Sequence, residues 1–85
     1  ERLYAYLTDK LPKNAEVLEG RARMYLARGM KGFAQRDINQ AFELLGGKAP
    51  ATLYRLRAEL NEGLGNRKAA AEDIKRAEAL ERSQP

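Results

Sequence analysis

Three observations in the sequence predict an all-α fold of paired helices. The phrase AQRDINQA at 34–41 is answered by AAEDIKRA at 70–77, with identity at Ala34/Ala70, Asp37/Asp73, Ile38/Ile74 and Ala41/Ala77. The same offset of 36 residues matches Arg21 with Arg57, Ala22 with Ala58, Gly29 with Gly65 and Leu44 with Leu80. Within each copy the apolar positions recur at steps of three and four, which is the period of one helix face. A unit of this length repeated along a chain marks an α-solenoid, in which each unit buries its apolar face on a neighbour.

About five helices are expected, near residues 1–10, 15–28, 31–45, 51–63 and 67–82. In the first, Ala5-Tyr6 lies 36 residues before Ala41-Phe42, so 1–12 reads as the second helix of a preceding unit. The next unit is then 13–48 and the last 49–85, and the chain reads as part of a longer array. The second helix carries Val17, Leu18, Arg21, Ala22, Met24 and Tyr25 on its stripe; Asn14 suits its N-cap, and Glu16 sits near its positive end. Gly29 and Gly32 mark its end and the turn that follows. Ala34, Asp37, Ile38, Ala41 and Leu45 form the third helix, stopped by Gly46-Gly47. Pro50 opens the fourth, with Leu53, Tyr54, Arg57, Ala58, Leu60, Asn61 and Leu64, and Gly63 and Gly65 close it. Ala70, Asp73, Ile74, Ala77 and Leu80 make the fifth. Ala22, Ala34, Ala58 and Ala70 are small residues where paired helices can approach closely.

An acid and an arginine interrupt these stripes at matching places. Arg21 and Asp37 are equidistant from Gly29, and Arg57 and Asp73 are equidistant from Gly65. In an antiparallel hairpin, residues equidistant from the turn lie opposite one another. Two equivalent structural ion pairs follow, Arg21–Asp37 and Arg57–Asp73, each tying together the helices of one unit. An acid that recurs with its own arginine at the repeat period reads as architecture, not as a catalytic group.

Composition sets limits on function. Apolar content of 44% with 33% charged residues fits a globular chain, and no apolar run reaches the length of a membrane helix. The chain has no cysteine and no histidine, which removes disulfides, thiolate chemistry and the commonest general base and metal ligand. No cofactor, no metal and no catalytic residues are expected, and the compartment is left undetermined between cytoplasm and periplasm. The net charge of +4 is compatible with an acidic partner without requiring one.

The chain resembles the tetratricopeptide repeat (TPR) family. The resemblance lies in Arg21-Ala22 and Arg57-Ala58 on first helices, the turn glycines Gly29 and Gly65, and second helices reading A-x-x-D-I-x-x-A. It covers nearly the whole chain. It implies antiparallel helix pairs stacked as a right-handed α-solenoid, whose first helices line a concave groove that docks a protein or peptide partner. Carried over by position, the partner-binding residues would be Glu16, Glu19, Arg23, Leu26 and Ala27, then Thr52, Arg55, Glu59 and Glu62. The lysine and asparagine by which chaperone-binding members clamp a C-terminal carboxylate are replaced by Glu19 and Arg23. The unit departs from the family in its longer inter-repeat turn around Gly46-Gly47-Lys48, and in Asn61 where the first unit has the aromatic Tyr25. The alanine- and arginine-rich style is similar to bacterial members, which implies a scaffold in an envelope or polysaccharide-secretion complex.

Other motifs carry less. GGKAPAT at 46–52 lacks the earlier glycine of a phosphate loop and has Ala49 where Ser or Thr should follow Lys48, so it reads as an inter-helix turn. Arg21, Arg23 and Arg28 around Tyr25 could suggest RNA, but they point in different directions on a helix and nearby glutamates dilute the field. Nucleic acid is therefore not an expected partner. Tyr25, Phe33, Phe42 and Tyr54 read as packing between helices, while Tyr4 and Tyr6 are expected to leave an apolar patch that could pair two copies through truncation. The expected function is protein–protein interaction, with a purely structural spacer or an RNA-binding helical repeat as alternatives.

Overall fold

The computed structural model describes residues 2–11 and 13–84 and is all-α. Its elements are α1 (Arg2–Lys10), α2 (Ala15–Ala27), α3 (Lys31–Leu45), a 3-10 turn at Gly46–Lys48, α4 (Ala51–Gly63) and α5 (Arg67–Arg82). There is no strand among the described residues. The expected limits at Glu1, Pro12 and Pro85 fall outside those residues. GGK forms an inter-helix turn, as its composition suggests.

The helix ends have local causes. Asn14 caps α2, its Oδ1 accepting from the Val17 amide at 3.0 Å. At the other end Gly29 takes φ 74°, a left-handed conformation open to glycine. The Gly29 amide then donates to the Leu26 carbonyl at 3.0 Å and the Met30 amide to the Tyr25 carbonyl at 2.8 Å. That pair of bonds is the Schellman closure of a helix C-terminus. It recurs after α4, where Gly65 has φ 82°, Gly65 N–H reaches the Glu62 carbonyl at 3.1 Å and Asn66 N–H reaches the Asn61 carbonyl at 2.8 Å.

These turns fold α2 back on α3 and α4 back on α5, and the two pairs have the most extensive helix contacts. The Tyr25 and Phe33 rings, equidistant from Gly29, meet at 5.3 Å between centroids, so α2 and α3 run antiparallel. Ala22, Ala34, Ala58 and Ala70 are all buried, which lets the paired helices come close.

The core lies where the hairpins meet. Leu18, Ala22, Ala34, Ile38, Ala41, Ala49, Leu53, Leu56 and Leu60 form one cluster drawn from α2, α3, the turn and α4. Phe42 of α3 and Tyr54 of α4 pack edge to face, 5.0 Å between centroids. Lys31 of α3 donates to the Gly63 carbonyl at 2.9 Å, placing a cation at the negative end of α4. Phe33 departs from its expected place: only one face packs on Tyr25, and the residue is exposed because it stands at the end of the hairpin.

The two hairpins are not covered alike. Ile38 is fully buried beneath α4, whereas Ile74, its counterpart 36 residues on, is 38% exposed. The residues of α5 corresponding to Phe42 and Leu45 are Glu78 and Glu81. Equal side chains thus do different work. Replacing Ile38 by Ala should cost about 2–5 kcal/mol in urea unfolding, as deletions in packed cores do. Ile74→Ala should cost clearly less, and an equal loss at both sites would show that α5 is covered like α3.

Candidate functional site

Each hairpin is closed by a buried carboxylate. Arg21 donates through Nε to Asp37 Oδ2 at 2.8 Å and through Nη2 to Oδ1 at 2.7 Å, a two-pronged pair with Asp37 almost wholly buried. Its hydrogen bonds to Asp37 hold the Arg21 guanidinium pKa above its ordinary value, against the opposing effect of burial. In the second hairpin Arg57 Nε lies 3.1 Å from both Asp73 oxygens and Nη2 lies 2.8 Å from Oδ1. Both sequence-derived ion pairs are present. Among the described residues no buried side-chain nitrogen or oxygen lacks a hydrogen-bond partner.

The residue four positions after each arginine completes the clasp differently. Tyr25 sets its ring 5.7 Å from the Arg21 guanidinium. Asn61, in the corresponding place, donates from Nδ2 to Asp73 Oδ2 at 3.0 Å. The polar substitution is therefore accommodated by the acid itself. Arg57 also lies 3.9 Å from the centre of the Phe42 ring, so the second clasp rests on a residue of the first hairpin.

In front of these clasps, α2 and α4 touch directly, while no Cα pair of α3 and α5 comes within 8 Å. Two adjoining clefts open between α2 and α4. One, about 340 Å³, is walled by Glu16, Glu19, Gly20, Arg23, Pro50 and Thr52. The other, about 250 Å³, is walled by Arg23, Thr52, Arg55, Leu56 and Glu59. Glu16, Glu19, Arg23, Thr52, Arg55 and Glu59, six of the sequence-derived partner-binding residues, are thus brought together. Leu26 packs against the core instead, and Glu62 stands near the end of α4 beside Arg67, 4.0 Å away. Ala27 is exposed on the last turn of α2 and does not line either cleft.

The cleft's arginines are held within the chain. Arg23 Nη2 lies 3.1 Å from Glu19 Oε2, one turn away on α2. Arg55 makes a fork with Glu81 of α5, Nε to Oε2 at 2.7 Å and Nη2 to Oε1 at 2.6 Å. Hydrogen bonding to Arg55 pulls the Glu81 carboxyl below its usual range. Equidistance from a turn could not reveal this pair, because residues 55 and 81 are not symmetric about Gly65. Among the described residues Glu16 and Glu59 form no ion pair of this kind.

Among the described residues no group of histidine, cysteine, aspartate or glutamate is placed to hold a metal, and no helix is long and apolar enough to cross a membrane. The chain matches no protein-family model, no curated protein and no solved structure.

Two measurements follow from this geometry. Asp37→Ala should lower stability by about 3–5 kcal/mol, because it strands a half-buried guanidinium. A cycle with Arg21→Ala should give a coupling energy of about 1–3 kcal/mol, and zero coupling would remove the clasp. Separately, the depressed Glu81 pKa makes its contribution complete above the ordinary glutamate range and lost as pH falls through the lower folded value. Carboxyl-detected NMR titration should place the Glu81 midpoint below that range, and Arg55→Ala should raise it; an unmoved midpoint would break the link.

Proposed function

We propose that the chain is a TPR-like stack of helical hairpins and acts as a protein-interaction scaffold, docking a partner protein or peptide in the α2/α4 cleft. One observation carries this reading: the first helices of both hairpins approach each other and open two adjoining clefts lined by charged residues, while the second helices stay apart. First helices that meet while second helices stay apart fit a curved stack of hairpins, and the inner side of such a curve is an extended binding surface. The two Arg–Asp clasps support the same reading by fixing each hairpin as a rigid unit. Side chains presented from rigid helices lose little freedom on binding, so a modest cleft can still hold a segment firmly.

A second reading has its own observation. Both cleft arginines already have acids of this chain as partners, which is what a solvated inner face of a structural spacer would show. Partner capture separates the two. A protein retained by the wild-type chain, cross-linked to the α2/α4 face, should bind at least about tenfold more weakly to Arg23→Glu and to Glu59→Lys, a loss near 1.4 kcal/mol. Both variants should keep the wild-type helicity and unfolding midpoint. Retention unchanged in both would leave the spacer reading standing.

A further inference from the structure

We infer that the turn end of the first hairpin carries a docking notch for an acidic protein segment bearing one apolar side chain. Met30 and Phe33 receive the apolar side chain, and Arg36 pairs with the acid. The notch does not rest on the cleft role proposed above, and the two share no lining residue.

A depression of about 400 Å³ lies at the start of α3, walled by Met30, Gly32, Phe33 and Arg36. A second, of about 640 Å³, occupies the corresponding place at the start of α5, where Asn66, Lys68, Ala69 and Glu72 stand 36 residues on. The shape therefore belongs to the hairpin itself. The first depression stays open with a whole hairpin packed after it, and the second with a whole hairpin packed before it. Neither neighbour closes this place, so the opening is not made by where the chain begins.

The two depressions differ in chemistry. Asn66, Lys68 and Glu72 make the second one polar, whereas the first presents Phe33, 49% exposed, beside Met30. Gly32, in the place of Lys68, leaves it unfilled: a Cβ built there meets no atom within 4 Å, so packing does not call for glycine. Methionine, phenylalanine and arginine are residue types that gather at protein interfaces. Charge selects the occupant. From residue 20 to residue 36 there are five cations and no acid. Arg21 and Arg23 are held by Asp37 and Glu19, but among the described residues Arg36 forms no ion pair. Its guanidinium lies 5.8 Å from the centre of the Phe33 ring, so a carboxylate forked onto it is set beside an apolar side chain resting on Phe33. A nucleic-acid strand fits less well. It uses successive rings as a stacking track, and Ala69 stands where hairpin two would have to supply the next one.

Selection of a random displayed-peptide library on the full chain, followed by fluorescence-anisotropy titration of the enriched peptide, tests this. Enriched peptides should combine Asp or Glu with Phe, Trp or Leu. Phe33→Ala and Arg36→Glu should each weaken binding roughly tenfold or more, the scale of anchor residues in interfaces. Gly32→Gln should do the same by filling the notch, and glutamine is a better helix former than glycine, so the chain stays folded. Exchanging the peptide's acid for lysine should restore binding to Arg36→Glu, whereas Arg23→Glu, in the separate cleft, should change nothing. The notch is overturned if no acidic peptide is enriched, or if Phe33→Ala and Gly32→Gln leave affinity within about twofold of wild type. Loss of the peptide in Arg23→Glu overturns it as well, by assigning the peptide to the cleft. So does a concentration-dependent dimer that Phe33→Ala dissolves, which makes a second copy the occupant, or displacement of the peptide by single-stranded oligouridine at equal concentration.

Discussion

A carboxylate buried between two helices cannot stay ionised without a partner, and that constraint organises the rest of this molecule. Asp37 and Asp73 sit among alanines on the inner faces of α3 and α5, where removal from water would be costly for a bare charge. One guanidinium answers each. Because the fork of an arginine matches the two oxygens of a carboxylate, the pair fixes the sliding register of the helices as well as their attraction. Alanine contacts alone would tolerate a shift of one turn; a forked pair would not. With register fixed, Gly29 and Gly65 close the turns and the apolar stripes of both hairpins face each other.

The second clasp is built on the first hairpin. Phe42 of α3 lies under Arg57, which holds Asp73 of α5, so a line of contacts runs from one hairpin through both helices of the next. Cation–π contact with a desolvated ring is worth about 2 kcal/mol at best, less than loss of the buried pair itself. Its effect is directional: the arginine that closes hairpin two is oriented by the packing between hairpins. Sharing that residue is expected to couple the unfolding of the two hairpins.

Much of this was legible in the sequence because it obeys a period or a symmetry. Helix limits, the turn glycines and both Arg–Asp pairs follow from a 36-residue offset and from equal distances about Gly29 and Gly65. The contacts that escaped obey neither. Arg55 and Glu81 pair across α4 and α5 without symmetry about the turn, and Lys31 reaches a backbone carbonyl that no side-chain pattern encodes. Leu26 and Glu62 failed as cleft residues for a geometric reason. Both lie in the last turns of their helices, where position on the stripe no longer decides which neighbour a side chain meets.

The differences between the hairpins give the molecule a direction. On α3 the outward apolar set of Ile38, Phe42 and Leu45 meets α4; on α5 the corresponding set is Ile74, Glu78 and Glu81. Glutamates there lower the gain from covering that face, since each would have to be paired or desolvated. Glu81 is instead turned back to hold Arg55 at the cleft's edge. The same substitution that makes the α5 face polar therefore neutralises a cation at the α2/α4 cleft. A segment entering the cleft meets Arg55 already paired and Arg23 paired with Glu19, and must either displace an acid of the chain or address Glu16, Glu59 and Thr52. Displacing a surface acid is cheap, because exposed pairs of this kind are worth little. On the proposed docking role, the cleft's selectivity would rest on which of its charges a partner leaves better paired than water does.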